Sequence, residues 1–311
     1  MTTVERRAWA AEGKGLKDVT CNLCCFPHYR LLAMENGLKV VKCNQCGLIY
    51  VTPQPTQKEL KRFYAHYYPE ISEELWYLAM HRLFRTDAKR IEKVLGNKGK
   101  LLDIGSGFGH FLVMMKERGW EVVGVEPSSL ARKRALEKGL VIYKGRFEDI
   151  EFPKESFDII TAWFILEHVP DPLGFLKKAY SLLKTGGYLF TRVPNVTFLS
   201  IFFFLRCFEN VGLIKNLLKT LRKGTTNENS LFYVIDPPAH LFGYNKITLK
   251  TMLKTAGFRE IKVINGKMVY RGTMLNHFID HGVYFAAESL RFVSKNRLYL
   301  SPILVSWALK R

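Results

Sequence analysis

The hydrophobic pattern of residues 98–311 alternates between short apolar runs and longer stretches in which apolar residues recur at helical spacing. Short apolar runs are typical of buried strands, and the longer amphipathic stretches are typical of helices that cover a sheet. Their alternation predicts an α/β fold around a mainly parallel sheet. The predicted strands are the run that ends at Asp103, then Glu121–Glu126, Val141–Tyr143, Phe157–Ala162, Tyr188–Val193, Phe258–Ile264 and Ile303–Lys310, and the predicted helices are Phe108–Arg118, Ser128–Lys138, Pro172–Leu183 and Ile247–Ala256.

A glycine-rich turn joins the first predicted strand to the first helix, in the stretch L-L-D-I-G-S-G-F-G. Gly105, Gly107 and Gly109 permit the positive φ angles and the close approach of backbone to ligand that such a turn needs. The next strand ends at Glu126, about 20 residues beyond the first glycine, where a carboxylate can accept hydrogen bonds from ribose hydroxyls. His110 replaces the third glycine of the dinucleotide fingerprint. A corner that binds nothing is the alternative, but packing does not explain an acid at this strand end.

Several ordered pieces between about Gly99 and Lys262 resemble the class I S-adenosylmethionine-dependent methyltransferases. The pieces are L-D-I-G-S-G-F-G, V-V-G-V-E-P-S, G-R-F-E-D-I, F-D-I-I-T-A-W-F-I-L-E-H-V-P-D-P, L-L-K-T-G-G-Y-L-F and H-L-F-G-Y-N-K-I-T-L-K-T-M-L-K-T-A-G-F. The resemblance implies a Rossmann-like seven-stranded methyltransferase sheet, which Ile303–Lys310 closes as an antiparallel strand. It also implies S-adenosylmethionine as the methyl donor.

The resemblance extends to individual cofactor contacts. Asp103 is expected to support the methionine amino end, and Glu126 is expected to hold the ribose. The loop that carries Phe147 is expected against adenine, with Glu148 or Asp149 as the acceptor for the adenine amino group. The predicted cofactor-binding residues are Asp103, Gly105, Ser106, Gly107, Gly109, Glu126, Pro127, Phe147, Glu148 and Trp163.

Two histidines are candidates for proton transfer. Residues at the carboxyl ends of parallel strands line the ligand crevice, so Trp163, Glu167 and His168 are predicted to meet the methyl donor or the acceptor. His168 is a candidate general base because imidazole titrates near pH 6.5; alternatively, it holds its loop through hydrogen bonds. His240 is the second candidate, as a base or as a residue that orients the substrate. A base is needed only for a hydroxyl acceptor, and O-, N- and C-methylation all remain open.

Four cysteines near the N-terminus follow the spacing C-x2-C-x18-C-x2-C, with Cys21, Cys24, Cys43 and Cys46. Two C-x2-C pairs supply the tetrahedral thiolate set that a structural Zn²⁺ site requires. The segment between the pairs predicts a hairpin that turns at Asn36–Gly37. Disulfide bonds are the alternative, and a reducing cytoplasm argues against them. Together with the following domain, this zinc-ribbon-like module resembles a bacterial and archaeal group of methyltransferases often linked to sugar and polysaccharide synthesis.

The chain is basic, with a formal net charge of +19 over 311 residues. Counted along the sequence, residues 195–311 carry 17 Lys+Arg against 6 Asp+Glu, so much of the excess lies in the C-terminal third. A basic face attracts an anionic partner such as nucleic acid, lipid headgroups or a phosphorylated substrate. The N-terminus lacks the apolar core of a signal peptide, which predicts a cytoplasmic protein.

Two insertions add apolar sequence to the C-terminal third. Residues 196–208 are almost uncharged, and residues 211–223 place Leu, Ile and Val on one helical face and Lys and Arg on another. The pattern fits a helix that lies on a membrane surface, and it fits equally well a lid over the active site. The predicted organisation is a four-cysteine module at 1–56, a helical linker or lid at 57–97 and the methyltransferase domain at 98–311, with insertions at about 194–243 and 268–300.

These features predict an S-adenosylmethionine-dependent methyltransferase that acts on a small-molecule, saccharide or lipid-linked acceptor. The apolar and basic C-terminal third favours a peripheral position on the inner face of a membrane. The first alternative is an RNA methyltransferase that holds RNA with the zinc module and a basic face, although the aliphatic run at 196–218 is a poor surface for phosphates. The second is a non-catalytic scaffold with the same fold, against which the intact D-x-G-x-G-x-G stretch argues.

Overall fold

The computed structural model of the chain describes residues 15–60, 73–206, 234–267 and 274–311. An N-terminal all-β segment precedes a region in which strands and helices alternate. The strands are β1 (Leu16–Lys17), β2 (Tyr29–Glu35), β3 (Leu38–Cys43), β4 (Ile49–Thr52), β5 (Gln54–Pro55), β6 (Lys100–Ile104), β7 (Glu121–Glu126), β8 (Val141–Lys144), β9 (Phe157–Trp163), β10 (Leu183–Pro194), β11 (Phe242–Gly243), β12 (Arg259–Gly266) and β13 (Ile303–Leu309). The helices are α1 (Glu73–Leu95), α2 (His110–Glu117), α3 (Ser129–Glu137), α4 (Pro172–Leu182), α5 (Val196–Arg206), α6 (Lys246–Thr255) and α7 (Met274–Val293).

A seven-stranded sheet with the order β12-β13-β10-β9-β6-β7-β8 forms the centre of the molecule. Neighbouring strands from β10 to β8 are parallel, whereas β13 pairs antiparallel with both β10 and β12. The sheet reverses its strand order between β6 and β9, and ligands of open α/β sheets bind at the carboxyl ends of such strands. This confirms the predicted Rossmann-like sheet and its antiparallel last strand.

Buried side chains cover both faces of the sheet, because successive residues of each strand point to opposite sides. On one face, Phe84 of α1 and Phe111 of α2 pack in the same core as Leu101. On the other face, Phe175 of α4 packs with Leu102 in a core that also includes Tyr50 of the N-terminal segment. The four-cysteine module and the main sheet therefore share one continuous core.

Several predicted element boundaries differ from the structure, and two of them lie near glycines. Helix α2 begins at His110 and not at Phe108, because Gly109 precedes it in the left-handed region with a φ of 78°. The fifth strand of the main sheet begins at Leu183 and not at Tyr188, with an irregular pairing between these two residues. Both errors arise at glycines, where the backbone leaves the regular geometry that the hydrophobic pattern reports.

The four-cysteine module contains the predicted hairpin, with β2 and β3 paired antiparallel. Asn36 and Gly37 have φ angles of 49° and 83°, which are the positive values that a tight two-residue hairpin turn requires. Strand β4 pairs with β3 as the third strand of this sheet. The fourth strand is β11, which lies almost 200 residues further along the chain and pairs with β4. Because β11 lies at the end of the first predicted insertion, the module is joined to the methyltransferase domain by backbone hydrogen bonds.

Glu35 holds the insertion against the hairpin. Its buried carboxylate accepts hydrogen bonds from the backbone N–H groups of Val234, Ile235 and Asp236, at 2.5, 3.1 and 3.1 Å. Burial nevertheless raises the pKa of this carboxyl, and the three hydrogen bonds act in the opposite direction. The next residue, Asn36, donates to the Pro237 carbonyl at 2.6 Å. One hairpin turn thus binds the segment that leads to His240.

We expect Glu35→Ala to lower the free energy of unfolding by about 2–3 kcal/mol, because three buried N–H groups lose their acceptor. For a protein of this size the melting temperature should fall by about 3–5 °C. Thermal unfolding by circular dichroism measures the shift. Glu151→Ala is the control, since Glu151 is 91% exposed and lies 3.5 Å from Lys178. Equal melting temperatures for the two variants would contradict this role for Glu35.

The apolar stretch of the first insertion forms helix α5, and part of the second forms α7. The predicted amphipathic helix at 211–223 lies outside the described residues, as does the part of the predicted linker at 61–72. Within the described ranges, no helix combines the length and the apolar character that crossing a bilayer requires.

Candidate active site

The glycine-rich turn lies where β6 passes into α2, at the carboxyl edge of the main sheet. Gly105, Gly107 and Gly109 have φ angles of 72°, 54° and 78°, so all three occupy the region that glycine tolerates best. A Cβ on Gly105 would lie 2.2 Å from Cδ1 of Ile165, and one on Gly109 would lie 2.4 Å from Cδ1 of Leu140. The positive φ angles therefore favour glycine at all three positions, and a Cβ at Gly105 or Gly109 would also displace the neighbouring Ile165 or Leu140 side chain.

Glu126 ends β7 directly beside this turn. Its carboxylate accepts hydrogen bonds from Gly107 N at 2.8 Å and from Ser128 N at 2.7 Å, which hold the turn and the start of α3 together. A carboxylate has about four acceptor positions, so these two bonds leave capacity for ribose hydroxyls. Burial raises the pKa of Glu126 to about 7, and the two backbone donors oppose that shift.

Asp103 lies within β6, just before the glycine-rich turn. Thr161 of β9 donates its hydroxyl proton to Oδ1 of Asp103 at 2.6 Å. Burial raises the pKa of Asp103 to about 7, while Thr161 lowers it and the negative charge of Glu126 raises it further. The sequence singled out Asp103 but not Thr161, because strand pairing alone brings these two residues together.

The remaining predicted cofactor residues lie in different surroundings. The Ser106 and Trp163 side chains are buried, and in the described part of the chain neither Ser106 Oγ nor Trp163 Nε1 has a hydrogen-bond partner. Pro127 is exposed, and Glu148 forms an ion pair with Arg146.

Phe147 is 2% exposed and packs edge-on against Phe175, with ring centroids 4.9 Å apart. Its ring packs in the core, and its contact with adenine stays a prediction.

The first turns of α1 contact the glycine-rich turn and α2. Trp76 lies 6.0 Å from Phe108 and is stacked on His110 at 6.1 Å between ring centroids. Further along α1, the carboxylate of Asp87 forms a buried bidentate ion pair with the guanidinium of Arg192 in β10, with N–O distances of 2.7 and 2.9 Å. This ion pair ties α1 to the sheet, and the sequence pattern did not reveal it, because its members are 105 residues apart.

The two candidate histidines come together at the carboxyl end of β9. The ring centroids of His168 and His240 are 4.7 Å apart. Nδ1 of His168 contacts the Ala239 carbonyl at 2.6 Å, and Nδ1 of His240 contacts the Ile235 carbonyl at 2.7 Å. Burial and the neighbouring His240 lower the pKa of His168 to about 3, so its imidazole is neutral at physiological pH. A base this weak is poorly suited to accept a proton from substrate.

Glu167 completes this group. Glu167, His168 and His240 each offer one ligand atom, and these atoms lie within 4.8 Å of one another. The Glu167 carboxylate is buried, and among the described residues neither of its oxygens has a hydrogen-bond partner. Burial raises the pKa of Glu167 to about 8. The backbone carbonyl of Glu167 accepts from Leu241 N at 2.7 Å, so the segment that begins β11 positions this loop.

The four predicted metal-ligating cysteines form one cluster, with their sulfur atoms within 4.8 Å of one another. The Sγ atoms of Cys21 and Cys46 are 3.4 Å apart, and those of Cys24 and Cys43 are 3.5 Å apart. Thiolates on a tetrahedral zinc ion with bonds of about 2.3 Å are roughly 3.8 Å apart, so the four residues fit this ion. Disulfide bonds require S–S distances near about 2.05 Å, which the cluster does not show.

Comparison with known proteins agrees with this architecture. The family described as "Methyltransferase domain" matches residues 75–263 of this chain. The ubiquinone biosynthesis O-methyltransferase of Aliivibrio fischeri strain MJ11 is 33% identical over 159 residues, which are 47% of this chain and 65% of the relative. That of Histophilus somni is 37% identical over 138 residues, which are 40% and 55% of the two chains. The matches thus span less than two thirds of these relatives.

Solved structures share the fold at low sequence identity. The plantazolicin methyltransferase BpumL, in complex with SAH, has a TM-score of 0.51 and 12% identity, over 82% of this chain and 90% of its own. The phosphoethanolamine N-methyltransferase 2 of Haemonchus contortus, in complex with S-adenosyl-L-methionine, has a TM-score of 0.50 and 16% identity, over 84% and 62% of the two chains. With its sheet order, its glycine-rich turn and a family match over more than half its length, the chain belongs to the class I S-adenosylmethionine-dependent methyltransferases.

Proposed function

We propose that this enzyme transfers the methyl group of S-adenosylmethionine to a hydroxyl oxygen of a small-molecule acceptor. The observation that carries the proposal is the shared carboxyl edge of β6, β7 and β9. The glycine-rich turn follows β6, Glu126 is the last residue of β7, and the Glu167–His168 loop follows β9. Two relatives over the matched region are named O-methyltransferases, which supports oxygen as the acceptor atom.

The residues at this edge have different roles in binding the cofactor and aligning the acceptor. S-adenosylmethionine supplies an activated methyl group on its sulfonium. The glycine-rich turn provides close backbone approach, Glu126 holds the ribose hydroxyls, and Asp103 supports the methionine amino end. The main task of the protein is to keep acceptor oxygen, methyl carbon and sulfur in line and to exclude water. Trp76 and the first turns of α1 cover the turn and contribute to this exclusion.

The four-cysteine module has a structural role in this proposal. Cys21, Cys24, Cys43 and Cys46 hold Zn²⁺ with no open coordination position, which suits a folding role and not catalysis. The module then supports the active site through β4, which pairs with β11, and through the contacts of Leu241 with Glu167.

The acceptor is proposed to be apolar or lipid-linked, or a saccharide carried at a membrane surface. Helix α7 exposes Phe285, Leu290, Phe292 and Val293, with exposed fractions of 67, 43, 82 and 78%. Exposed apolar side chains on a chain of net charge +19 support binding to an anionic membrane surface. Co-sedimentation with anionic liposomes is expected for the wild-type protein and should be reduced in Phe292→Ser. Equal sedimentation with neutral liposomes, or none with either, would contradict this surface.

The acceptor class can be found with methyl-labelled S-adenosylmethionine and a cell extract. The extract is separated afterwards into lipid, polar small-molecule, RNA and protein fractions. Label in the lipid or small-molecule fraction is expected, and it should be absent with Glu126→Ala. Label in RNA would replace this proposal by an RNA methyltransferase. Bound cofactor without label in any fraction of a complete extract would favour a scaffold protein.

A further inference from the structure

Two buried side chains near the carboxyl edge of the main sheet have hydrogen-bond donors without an acceptor. Trp163 is the last residue of β9, and it pairs in register with Arg192 of β10. The guanidinium carbon of Arg192 lies 5.9 Å from the Trp163 ring centroid. Among the described residues, neither Trp163 Nε1 nor Arg192 Nη1 has a hydrogen-bond partner. Because an unpaired buried donor is costly, these two groups mark a place where a ligand can supply the acceptor.

The two residues lie next to the side of the site where the methyl donor is expected. Thr161 and Trp163 are two residues apart on β9, so their side chains point to the same face of the sheet. The Thr161 hydroxyl donates to Asp103, which is expected to support the methionine end of the cofactor. Across the sheet, β9 lies between β6 and β10. Arg192 is therefore one strand further from the glycine-rich turn than Trp163, where an acceptor can approach the methyl group.

The charges around Arg192 do not cancel. Asp87 of α1 accepts from Nε and Nη2 of Arg192 at 2.7 and 2.9 Å, and it also accepts from Nη1 of Arg90 at 2.8 Å. The side chains of Arg192 and Asp87 are 3% and 1% exposed, and that of Arg90 is 22% exposed. Burial lowers the pKa of Arg90, Asp87 raises it, and the like charge of Arg192 lowers it further. One carboxylate thus serves two guanidinium groups, and the excess positive charge favours an anion.

Asp87 also determines which end of the Arg192 guanidinium stays unpaired. Its carboxylate takes Nε and Nη2, so Nη1, with two further N–H groups, points away from it. Gly266 at the end of β12 lies nearby, and a Cβ there would be 3.3 Å from Nη1. Glycine at this position therefore keeps a side chain from crowding the unpaired group. The guanidinium binds Asp87 with one end and has donors to spare at the other.

We propose that Arg192 and Trp163 bind an acidic group, a carboxylate or a phosphate, of the methyl acceptor. Guanidinium and indole N–H groups only donate, and the oxygens of an ionised acid only accept, so the two sets are complementary. Guanidinium groups form strong charge-assisted hydrogen bonds with both kinds of acid. The excess positive charge then selects an anion over a neutral hydroxyl or amide. This inference rests on the proposed function, because it names the class of acceptor: a small molecule, saccharide or lipid-linked compound that carries an acid.

Titration with benzoate and with phenyl phosphate tests the site without methyl transfer. The indole N–H signals of the five tryptophans are recorded by ¹H–¹⁵N NMR of the intact chain, and Trp163→Phe assigns the signal of Trp163. We expect one of the two anions to shift this signal, and we expect the neutral benzamide to bind at least about 10-fold more weakly, because an ionised acceptor makes stronger hydrogen bonds. The anion that binds more tightly distinguishes a carboxylate from a phosphate. A shift with neither anion, or equal affinity for benzamide, would overturn the proposal.

Matched variants assign the anion to its two donors. Arg192→Lys keeps a positive charge beside Asp87 but removes Nη1, and Trp163→Phe keeps an aromatic ring against Phe111 but removes the N–H group. Calorimetry should show that each variant binds the preferred anion about 5-fold or more weakly, while Arg297→Lys, at an exposed position, binds it as the wild type does. Circular dichroism checks folding, and Trp163→Phe decides the matter if Arg192→Lys does not fold. Equal affinity in Trp163→Phe and Arg297→Lys would contradict the assignment.

The charge of the methylated product separates this proposal from the proposed function. The labelled product from methyl-labelled S-adenosylmethionine and cell extract is passed over an anion-exchange column at neutral pH. We expect the column to retain it, because the acceptor carries an acid that methylation of its hydroxyl leaves ionised. Labelled product that passes through would overturn the acidic acceptor and leave the methyltransferase function intact. Anion binding at Trp163 without any labelled product would support the anion site and reject the proposed function.

Discussion

Replacing Glu126 with alanine should weaken binding of S-adenosylmethionine by at least about 100-fold, because each charge-assisted hydrogen bond to a ribose hydroxyl is worth about 1.5–3 kcal/mol. The variant should remain folded, since Gly107 N and Ser128 N lose a hydrogen-bond acceptor but the strand and its core contacts persist. Isothermal titration calorimetry measures the affinity, and thermal unfolding measures the cost of the two lost backbone bonds.

Glu121→Ala provides the control for this measurement. Glu121 begins the same strand, β7, and lies 2.7 Å from Lys100 in an exposed ion pair. Exposed ion pairs contribute at most about 1 kcal/mol, so this variant should bind the cofactor as the wild type does. Unchanged affinity in Glu126→Ala would reject the pocket assignment, because Glu126 is the carboxylate that holds Gly107 N of the glycine-rich turn.

Replacing Cys43 with serine should release the proposed zinc ion and lower the free energy of unfolding by about 5 kcal/mol. The melting temperature should fall by about 8 °C. Methyl transfer should also fall, because β4 no longer holds β11 in register and Leu241 then loses its fixed position against Glu167. Zinc content by atomic emission, thermal unfolding and methyl transfer are measured on the same preparation.

Cys25→Ser is the matched control, since Cys25 is an exposed neighbour that lies outside the four-cysteine cluster. It should retain one zinc per chain and the wild-type melting temperature. If Cys43→Ser keeps its zinc, or if it loses zinc without any change in stability, a structural metal in this module would be wrong.

The parts of the site that the sequence predicted are local in the chain. The glycine-rich turn follows from residues within a few positions of one another, and the role of Glu126 follows from its place at the next strand end. The surroundings of Phe147 could not be predicted in this way, because Phe175, which packs against its ring, comes from another element of the chain. The contact of Phe147 with adenine stays a prediction.

The surroundings of His168 and His240 likewise could not be predicted from the sequence. His168 and His240 each looked like a general base when considered alone, and an isolated imidazole has a suitable pKa. Folding places them side by side in a buried region beside Glu167, where burial and the neighbouring His240 lower the pKa of His168. His168 and its carbonyl partner at Ala239 are 71 residues apart, so no local pattern could reveal the contact.

Local patterns in the sequence predicted the alternating strands and helices, the glycine-rich turn and the four-cysteine cluster, because each depends on short-range periodicity or on fixed spacing. The antiparallel last strand was implied by the resemblance to the methyltransferase family. Tertiary structure alone decided how the four-cysteine module joins the enzyme and what surrounds the catalytic loop. Strand β11 pairs with β4, Glu35 binds the backbone of residues 234–236, and Leu241 positions Glu167. These contacts join segments far apart in the chain, up to 201 residues for Glu35 and Asp236, and the burial that sets their energies exists only once the whole core has formed.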